Sequence, residues 1–233
     1  REIARAAVNR MAEMGGRCDF ARDVAFLYPL HVVMEVIGVP ESDEPRMLKL
    51  TQELFGSQDP DLNRSGAEVT DAKAGVDTVQ SVVLDFMTYF NAITDDRRAN
   101  PRSDLASIIA NGKINGEPLG YLEAMSYYII AATAGHDTTS STTAGAFWAL
   151  AENPEQFRKV KENPALIAGL IEESIRWVTP VKHFMRTATA DAELAGKKIA
   201  KGDWLMLSYS SGNRDEAVFK DPFKFDVTRT PNK

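Results

Sequence analysis

Cysteine is nearly absent from this 233-residue chain. Cys18 stands alone, in a turn-like Gly15-Gly16-Arg17-Cys18-Asp19 segment, which excludes an internal disulfide framework and fits a reducing cytoplasm. Histidine occurs only as His31, His136 and His183, leaving little for a histidine-based metal site. No apolar run approaches the roughly 18 residues that a membrane span needs. The richest, from Tyr127 to Ala134, runs straight into His136 and Asp137. Basic residues are outnumbered 27 to 33, and a net charge of -6 argues against nucleic acid or anionic membrane as the main partner. There is no secretory-leader pattern, internal repeat, or flavin or dinucleotide fingerprint, so a cytoplasmic location is expected.

What is present is ordinary for a globular protein: 44% hydrophobic and 26% charged residues. We expect one domain over residues 1–233, cut from a longer chain at both ends. Arg1 begins in mid-helix without a cap, and Thr230-Pro231-Asn232-Lys233 reads as a turn leading onward. The breakers predict helices over Arg1 to Met14, Tyr28 to Ile37, Ser42 to about Phe55, Glu68 to Asp95 and Asp104 to Asn111, with a polar loop from Gly56 to Gly66. In the fourth helix the periodicity places Val76, Val79, Val83, Phe86, Met87 and Phe90 on one side. Leu119 to Glu152 holds no proline, so one helix about 45–50 Å long is expected there. Two more follow, Pro154 to Glu162 and Pro164 to Trp177. After Pro180 come short strand candidates at Lys182 to Thr189, Glu193-Leu194, Lys198-Ile199 and Trp204 to Tyr209. The fold class is mainly α with a small antiparallel β region.

The middle of the long helix conflicts with helical preference. Nine of the fifteen residues from Ala131 to Gly145 are Gly, Ser or Thr, weak helix formers whose hydroxyls compete for backbone carbonyls. Such a conflict often marks a functional site. Ala134 and Gly135 would let a flat ligand approach, Thr138 could bond the carbonyl of Ala134, and Asp137 adds a titratable group. The alternative is a small-residue packing face with Asp137 satisfied by a nearby cation.

Ala134-Gly135-x-Asp137-Thr138-Thr139 resembles the oxygen-binding motif of the cytochrome P-450 family, the haem-thiolate monooxygenases. Further motifs follow in the family's order. Glu173-Ser174-Ile175-Arg176 resembles the Glu-x-x-Arg of the next helix, followed by the exit Trp177-Val178-Thr179-Pro180. Phe184-Met185-Arg186-Thr187 is similar to the strand whose arginine binds a haem propionate, a carboxylate suited to a guanidinium fork. Tyr209 to Asp215 and Phe219 to Asp226 resemble the segment before the cysteine loop. The likeness is strongest to bacterial soluble members, particularly those oxidising terpene alcohols.

The resemblance implies a truncated cytochrome P-450 fold that binds haem b and hydroxylates a small hydrophobic substrate (a terpenoid, an aromatic hydrocarbon or a sterol-like molecule). Dioxygen would be the oxidant, with NAD(P)H electrons arriving through a ferredoxin-type donor and its reductase. Asp137 and Thr138 are then the acid and alcohol that deliver protons. Arg186, Ala134, Gly135 and His183 would bind the cofactor. Ile130, Thr133, Ala134, Val181 and Phe184 would touch substrate. Glu173 and Arg176 would form a structural triad with Lys224, which holds the usual arginine position, Arg229 being a possible substitute. The axial cysteine is expected beyond Lys233, since the context of Cys18 matches nothing in the cysteine loop, and the chain alone is expected to be inactive. Two other readings stand beside this one: a helical binding module without the thiolate, and a phosphohydrolase using His136-Asp137 as metal ligands.

Overall fold

In a computed structural model the structure describes residues 1–57, 59–64 and 72–232. The chain divides into two compact units, residues 1–137 and 138–233. The first is helical: α1 (Glu2–Glu13), α2 (Leu27–Ile37), α3 (Glu44–Phe55), α4 (Ala72–Ala99), α5 (Leu105–Ala110) and α6 (Tyr121–Ala134), with one hairpin of β1 (Lys113–Ile114) and β2 (Glu117–Pro118). The expected start of the fourth helix, from Glu68 to Asp71, and part of the Gly56 to Gly66 loop lie outside the described residues. Gly38 ends α2 in the left-handed conformation (φ 88°), and its N–H bonds the Met34 carbonyl at 2.9 Å. The sequence reading overlooked the hairpin. Its signal is Asn115-Gly116, both at positive φ, the pair that two-residue hairpin turns require.

The core of this unit is an aromatic stack with aliphatic walls. Phe90 lies flat on Tyr128 with ring centroids 4.6 Å apart, and Phe86 stacks on Phe90 at 5.9 Å. Leu30 and Met34 of α2 and Met47 of α3 close around them. Tyr128 is fully buried, so its hydroxyl needs a partner and donates to the Ala106 carbonyl at 3.0 Å. The buried stripe of α4 differs from the expected one. It is Thr78, Val82, Phe86, Phe90, Thr94 and Arg97, while Val76 is 53% exposed. Polar residues join the stripe because each has an internal partner. Thr94 donates to the Phe90 carbonyl at 2.8 Å, and Arg97 donates to Asp104 at 2.8 Å and to the Gly38 carbonyl at 2.9 Å.

Arg97 and Asp104 thus gather around Gly38, where a Cβ would run into the Asp104 side chain. Gly38→Ala is expected to lose about 1–3 kcal/mol through the left-handed backbone, with the displaced Asp104 adding to that. Urea denaturation reads this directly, and an unchanged midpoint would contradict it.

The second unit comprises α7 (Asp137–Glu152, apart from its first residue), α8 (Pro154–Glu162), α9 (Ile167–Val178), β3 (His183–Thr187), β4 (Ala192–Leu194), β5 (Lys197–Ile199), β6 (Trp204–Ser208) and α10 (Tyr209–Gly212). β3 pairs antiparallel with β6, Phe184 opposite Leu207 and Arg186 opposite Leu205; β4 pairs with β5. Ala149, Leu150, Phe225 and Val227 form its core, with Trp177 edge-on to Phe225 at 5.7 Å. A mainly helical chain with a few small antiparallel strands is what the sequence pattern requires. The expected single long helix is instead interrupted at Gly135-His136. There the ladder tightens, the His136 N–H reaching the Thr133 carbonyl at 3.3 Å.

Candidate functional site

The interruption gathers the residues that the sequence singled out. Thr133 is buried and its hydroxyl bonds the Ile129 carbonyl at 2.7 Å, so it is turned onto its own helix. Ile130 is 63% exposed and Ala134 is exposed. Gly135 is not open on its Cβ side, because a Cβ there would stand 2.8 Å from Val33 of α2. The open face of this turn therefore belongs to Ala134. Asp137 opens α7, where a carboxylate complements the helix dipole. Burial pushes its carboxyl above the usual range, the neighbouring His136 pulls it down, and the net direction is up.

Further along α7 the hydroxyls turn back onto the helix. Thr142 bonds the Thr138 carbonyl at 2.8 Å and Thr143 the Thr139 carbonyl at 2.7 Å. Ser140 is buried, with no partner for its hydroxyl among the described residues. Thr138, Thr139 and Thr142 line one side of a cavity of about 530 Å³ within the second unit, with Ile171, Ile175 and Pro180 opposite. The lining is largely apolar carbon, to which Thr142 and Thr143, with their hydroxyls turned back onto the helix, add their methyls. That suits a flat hydrophobic group.

A densely bonded cluster is built on α9. Glu173 and Arg176 are buried at 0% and 3% exposure. Arg176 donates from Nε and Nη2 to the two Glu173 oxygens, each at 2.8 Å. Its Nη1 donates to the carbonyls of Asn213 at 2.7 Å and Pro222 at 2.8 Å. The third member is Arg229, whose Nε reaches both Glu173 oxygens at 3.1 and 3.2 Å. This corrects the expectation for Lys224. Its side chain is exposed, and it contributes only its carbonyl, which accepts from Arg229 Nη2 at 2.7 Å. Arg214, to which the sequence reading gave no role, stacks over Trp177 at 4.7 Å and donates to the carbonyls of Arg176 (2.9 Å) and Trp177 (2.7 Å). Its signal was the Tyr209 to Asp215 segment, singled out without individual roles.

Burial pushes the Glu173 carboxyl up, but the bonds from Arg176 and the Asp226 N–H, with the charges of Arg176 and Arg229, outweigh it and hold it below the usual range. A depressed carboxyl contributes stability above its ordinary pKa and loses it as pH falls through the lower folded value. Tryptophan fluorescence of the chain is therefore expected to show an unfolding transition below about pH 4.5, the ordinary glutamate value. A signal constant down to pH 2 would contradict this linkage.

On β3, alternation puts Phe184 and Arg186 on one face and His183 on the other. The two residues expected to flank a propionate, His183 and Arg186, are thus not brought together, whereas Arg186 and the expected substrate contact Phe184 are, with the guanidinium 5.7 Å from the ring. Val181 is half-buried and the whole of β3 is exposed. Arg186 spends one donor on the Met185 carbonyl (2.9 Å) and has no carboxylate partner among the described residues. It is free to receive one. Cys18 is exposed, between α1 and the turn at Ala21–Ala25.

Comparison with known proteins converges on one family. A cytochrome P-450 family model matches residues 69–232. The chain is 49% identical to cytochrome P-450-terp of a Pseudomonas species over 233 residues, all of this chain and 54% of that protein. It is 31% identical to linalool 8-monooxygenase of Pseudomonas putida, covering 97% of this chain and 53% of that protein. The crystal structure of CYP108D1 from Novosphingobium aromaticivorans superposes with a TM-score of 0.85 at 48% identity, over all of this chain and 53% of that one. The chain spans about half the length of the curated relatives it matches.

Proposed function

The chain belongs to the cytochrome P-450 family, and from that premise we propose that the complete protein is a haem-dependent monooxygenase. It would hydroxylate a small hydrophobic substrate, a terpenoid in first place, with residues 1–233 forming part of one cytoplasmic domain. Members of the family bind haem b. The observation that carries the reading is the acid–alcohol pair at the head of α7. Asp137 has a carboxyl that burial pushes toward its protonated form, and Thr138 follows it on the wall of the 530 Å³ cavity. The terpenoid assignment draws support from two relatives, one named for linalool.

The residues fit the cofactor on one face and one edge. The Arg186 guanidinium, which has no carboxylate partner among the described residues, suits a propionate, and the threonine-lined wall suits a flat apolar ring. The exposed Cys18 offers no comparable setting for a thiolate ligand to that cofactor. When bound, haem supplies the reduction of dioxygen and the insertion of one oxygen atom into a C–H bond. The chain's own residues orient, exclude water and move protons. Arg186 holds the cofactor edge, and His183, on the opposite face of β3, takes no part in that contact. Ala134 and Gly135 keep side-chain bulk away from the turn. Asp137, its carboxyl raised by burial, relays the proton, and the Thr138 hydroxyl positions its delivery. Ile130 and Ala134, both exposed, remain proposed substrate contacts in the first unit, as do Val181 and Phe184 in the second; the buried Thr133, turned onto its own helix, does not. Two electrons would come from NAD(P)H through a ferredoxin-type donor. Glu173, Arg176 and Arg229 hold the fold below.

The alternative use of His136-Asp137 as a phosphohydrolase metal site loses its support. Among the described residues no group of three or more His, Cys, Asp and Glu side chains could hold a metal ion. Incubating the complete, reconstituted protein with terpene alcohols under ¹⁸O-labelled dioxygen tests the proposal. One labelled oxygen in a hydroxylated product is expected; label absent from every product would overturn it.

A further inference from the structure

The imidazole of His136 is wholly buried, at 0% exposure, and the chemistry assigned above gives it no task. Its Nε2 lies 3.0 Å from the Phe26 carbonyl oxygen. A carbonyl only accepts, so Nε2 carries the hydrogen, and in the neutral ring Nδ1 keeps a lone pair. That nitrogen stands 3.2 Å from Asp137 Oδ1, off the line of a formed hydrogen bond, and has no other partner among the described residues. A buried acceptor without a donor is costly. The nearest group able to supply one is the Asp137 carboxyl when protonated. Phe26 fixes the tautomer, and the tautomer points an acceptor at the acid.

We propose that His136 is the positioning residue for Asp137, with Nδ1 and the carboxyl sharing one proton. This rests on the reading of Asp137 as the proton source. Transfer breaks one O–H bond and forms one N–H bond. No electrons are exchanged, and Nε2 keeps its hydrogen throughout. The pair has zero net charge in either form, carboxylic acid with imidazole or carboxylate with imidazolium. A desolvated turn therefore keeps a proton on hand without burying an uncompensated charge. Because the ring has no exposed surface, the proton enters and leaves through Asp137, whose side chain is 32% exposed. His136 is the charged group that bears on the Asp137 carboxyl. The titratable residues of α2, which packs against α6, are Tyr28, His31 and Glu35, and His31 is turned to Glu44.

The test uses the complete haem protein in its diamagnetic ferrous–carbon monoxide form, with ¹³C-labelled aspartate and ¹⁵N-labelled histidine. His136→Gln can keep a donor for Phe26 but removes Nδ1. His136→Asn places an amide near Nδ1 but does not titrate. Whichever variant keeps the wild-type melting temperature is expected to move the Asp137 carboxyl titration upward, because the imidazolium form of the pair, which pulls that titration down, is lost. Asp137→Asn, a near-isosteric change that should not disturb folding, is expected in turn to slow turnover. An Asp137 titration identical in wild type and the histidine variants, with Asp137→Asn still slow, would overturn the role of His136 alone. If the Asp137 titration moves in the histidine variants but Asp137→Asn turns over at the wild-type rate, the proton role of Asp137 falls, and that of His136 with it.

Discussion

Arg176→Ala is expected to destabilise the second unit by about 3–5 kcal/mol, the range for breaking one half of a buried ion pair. Against a typical domain stability of about 5–15 kcal/mol, the variant should lose most of its folded population or fail to accumulate in soluble form. The size of the effect follows from what alanine leaves behind. Glu173, at 0% exposure, loses two charge-assisted bonds, the Pro222 carbonyl loses its donor, and the Asn213 carbonyl keeps only a long bond from Arg214 at 3.4 Å. Arg176→Lys should not rescue it, because a single ammonium cannot reproduce the two-pronged contact and the two carbonyl bonds together. The companion variants separate the third member of the cluster. Arg229→Ala should be clearly destabilising, since its Nε contacts both Glu173 oxygens. Lys224→Ala should stay within about 0.5 kcal/mol, as an exposed side chain whose backbone does the bonding. Equal effects of Arg229→Ala and Lys224→Ala in urea denaturation would contradict the assignment, as would an Arg176→Ala midpoint like that of the wild type.

Asp137→Asn in the complete protein is expected to lower turnover about 100-fold or more, the ordinary reach of a positioned general acid, while substrate binding is retained. Asparagine keeps the shape and the helix-opening position but has no proton to release at neutral pH. Thr138→Ala should act differently. Haem and substrate binding persist, yet less product forms per NAD(P)H consumed, the difference appearing as peroxide. The two variants together distinguish loss of the proton from loss of its steering. Full coupling of NAD(P)H to product in Thr138→Ala would contradict the role given to the hydroxyl, and unchanged turnover of Asp137→Asn the role given to the acid.

What could be read in the sequence was whatever depends on neighbours along the chain. The pairing of Glu173 with Arg176 follows from their spacing of three on a helix, and the weakness of the long helix at Gly135 from its run of small and hydroxyl residues. The antiparallel ribbon that carries Arg186 followed from short alternating segments between turns. What escaped depends on contacts between distant segments. Nothing near Arg229 says that its loop returns 56 residues to Glu173, so Lys224, matching by position, was the natural first assignment. The partner of His136 lies 110 residues away at Phe26, which no spacing rule reaches. The Gly135 Cβ position is occupied by Val33, contributed by a helix a hundred residues upstream. The buried stripe of α4 was misjudged because Thr78, Thr94 and Arg97 look like surface residues until their internal partners are known.

The central claim is that the complete protein carries haem on a thiolate, with Asp137 and Thr138 as its proton-delivering pair. The most direct measurement is the carbon monoxide difference spectrum of the dithionite-reduced, full-length protein. A thiolate-type Soret band is expected, and it should persist in Asp137→Asn and Thr138→Ala, whose defects lie in proton delivery rather than cofactor binding. No such band from a folded, haem-reconstituted full-length chain would contradict the claim.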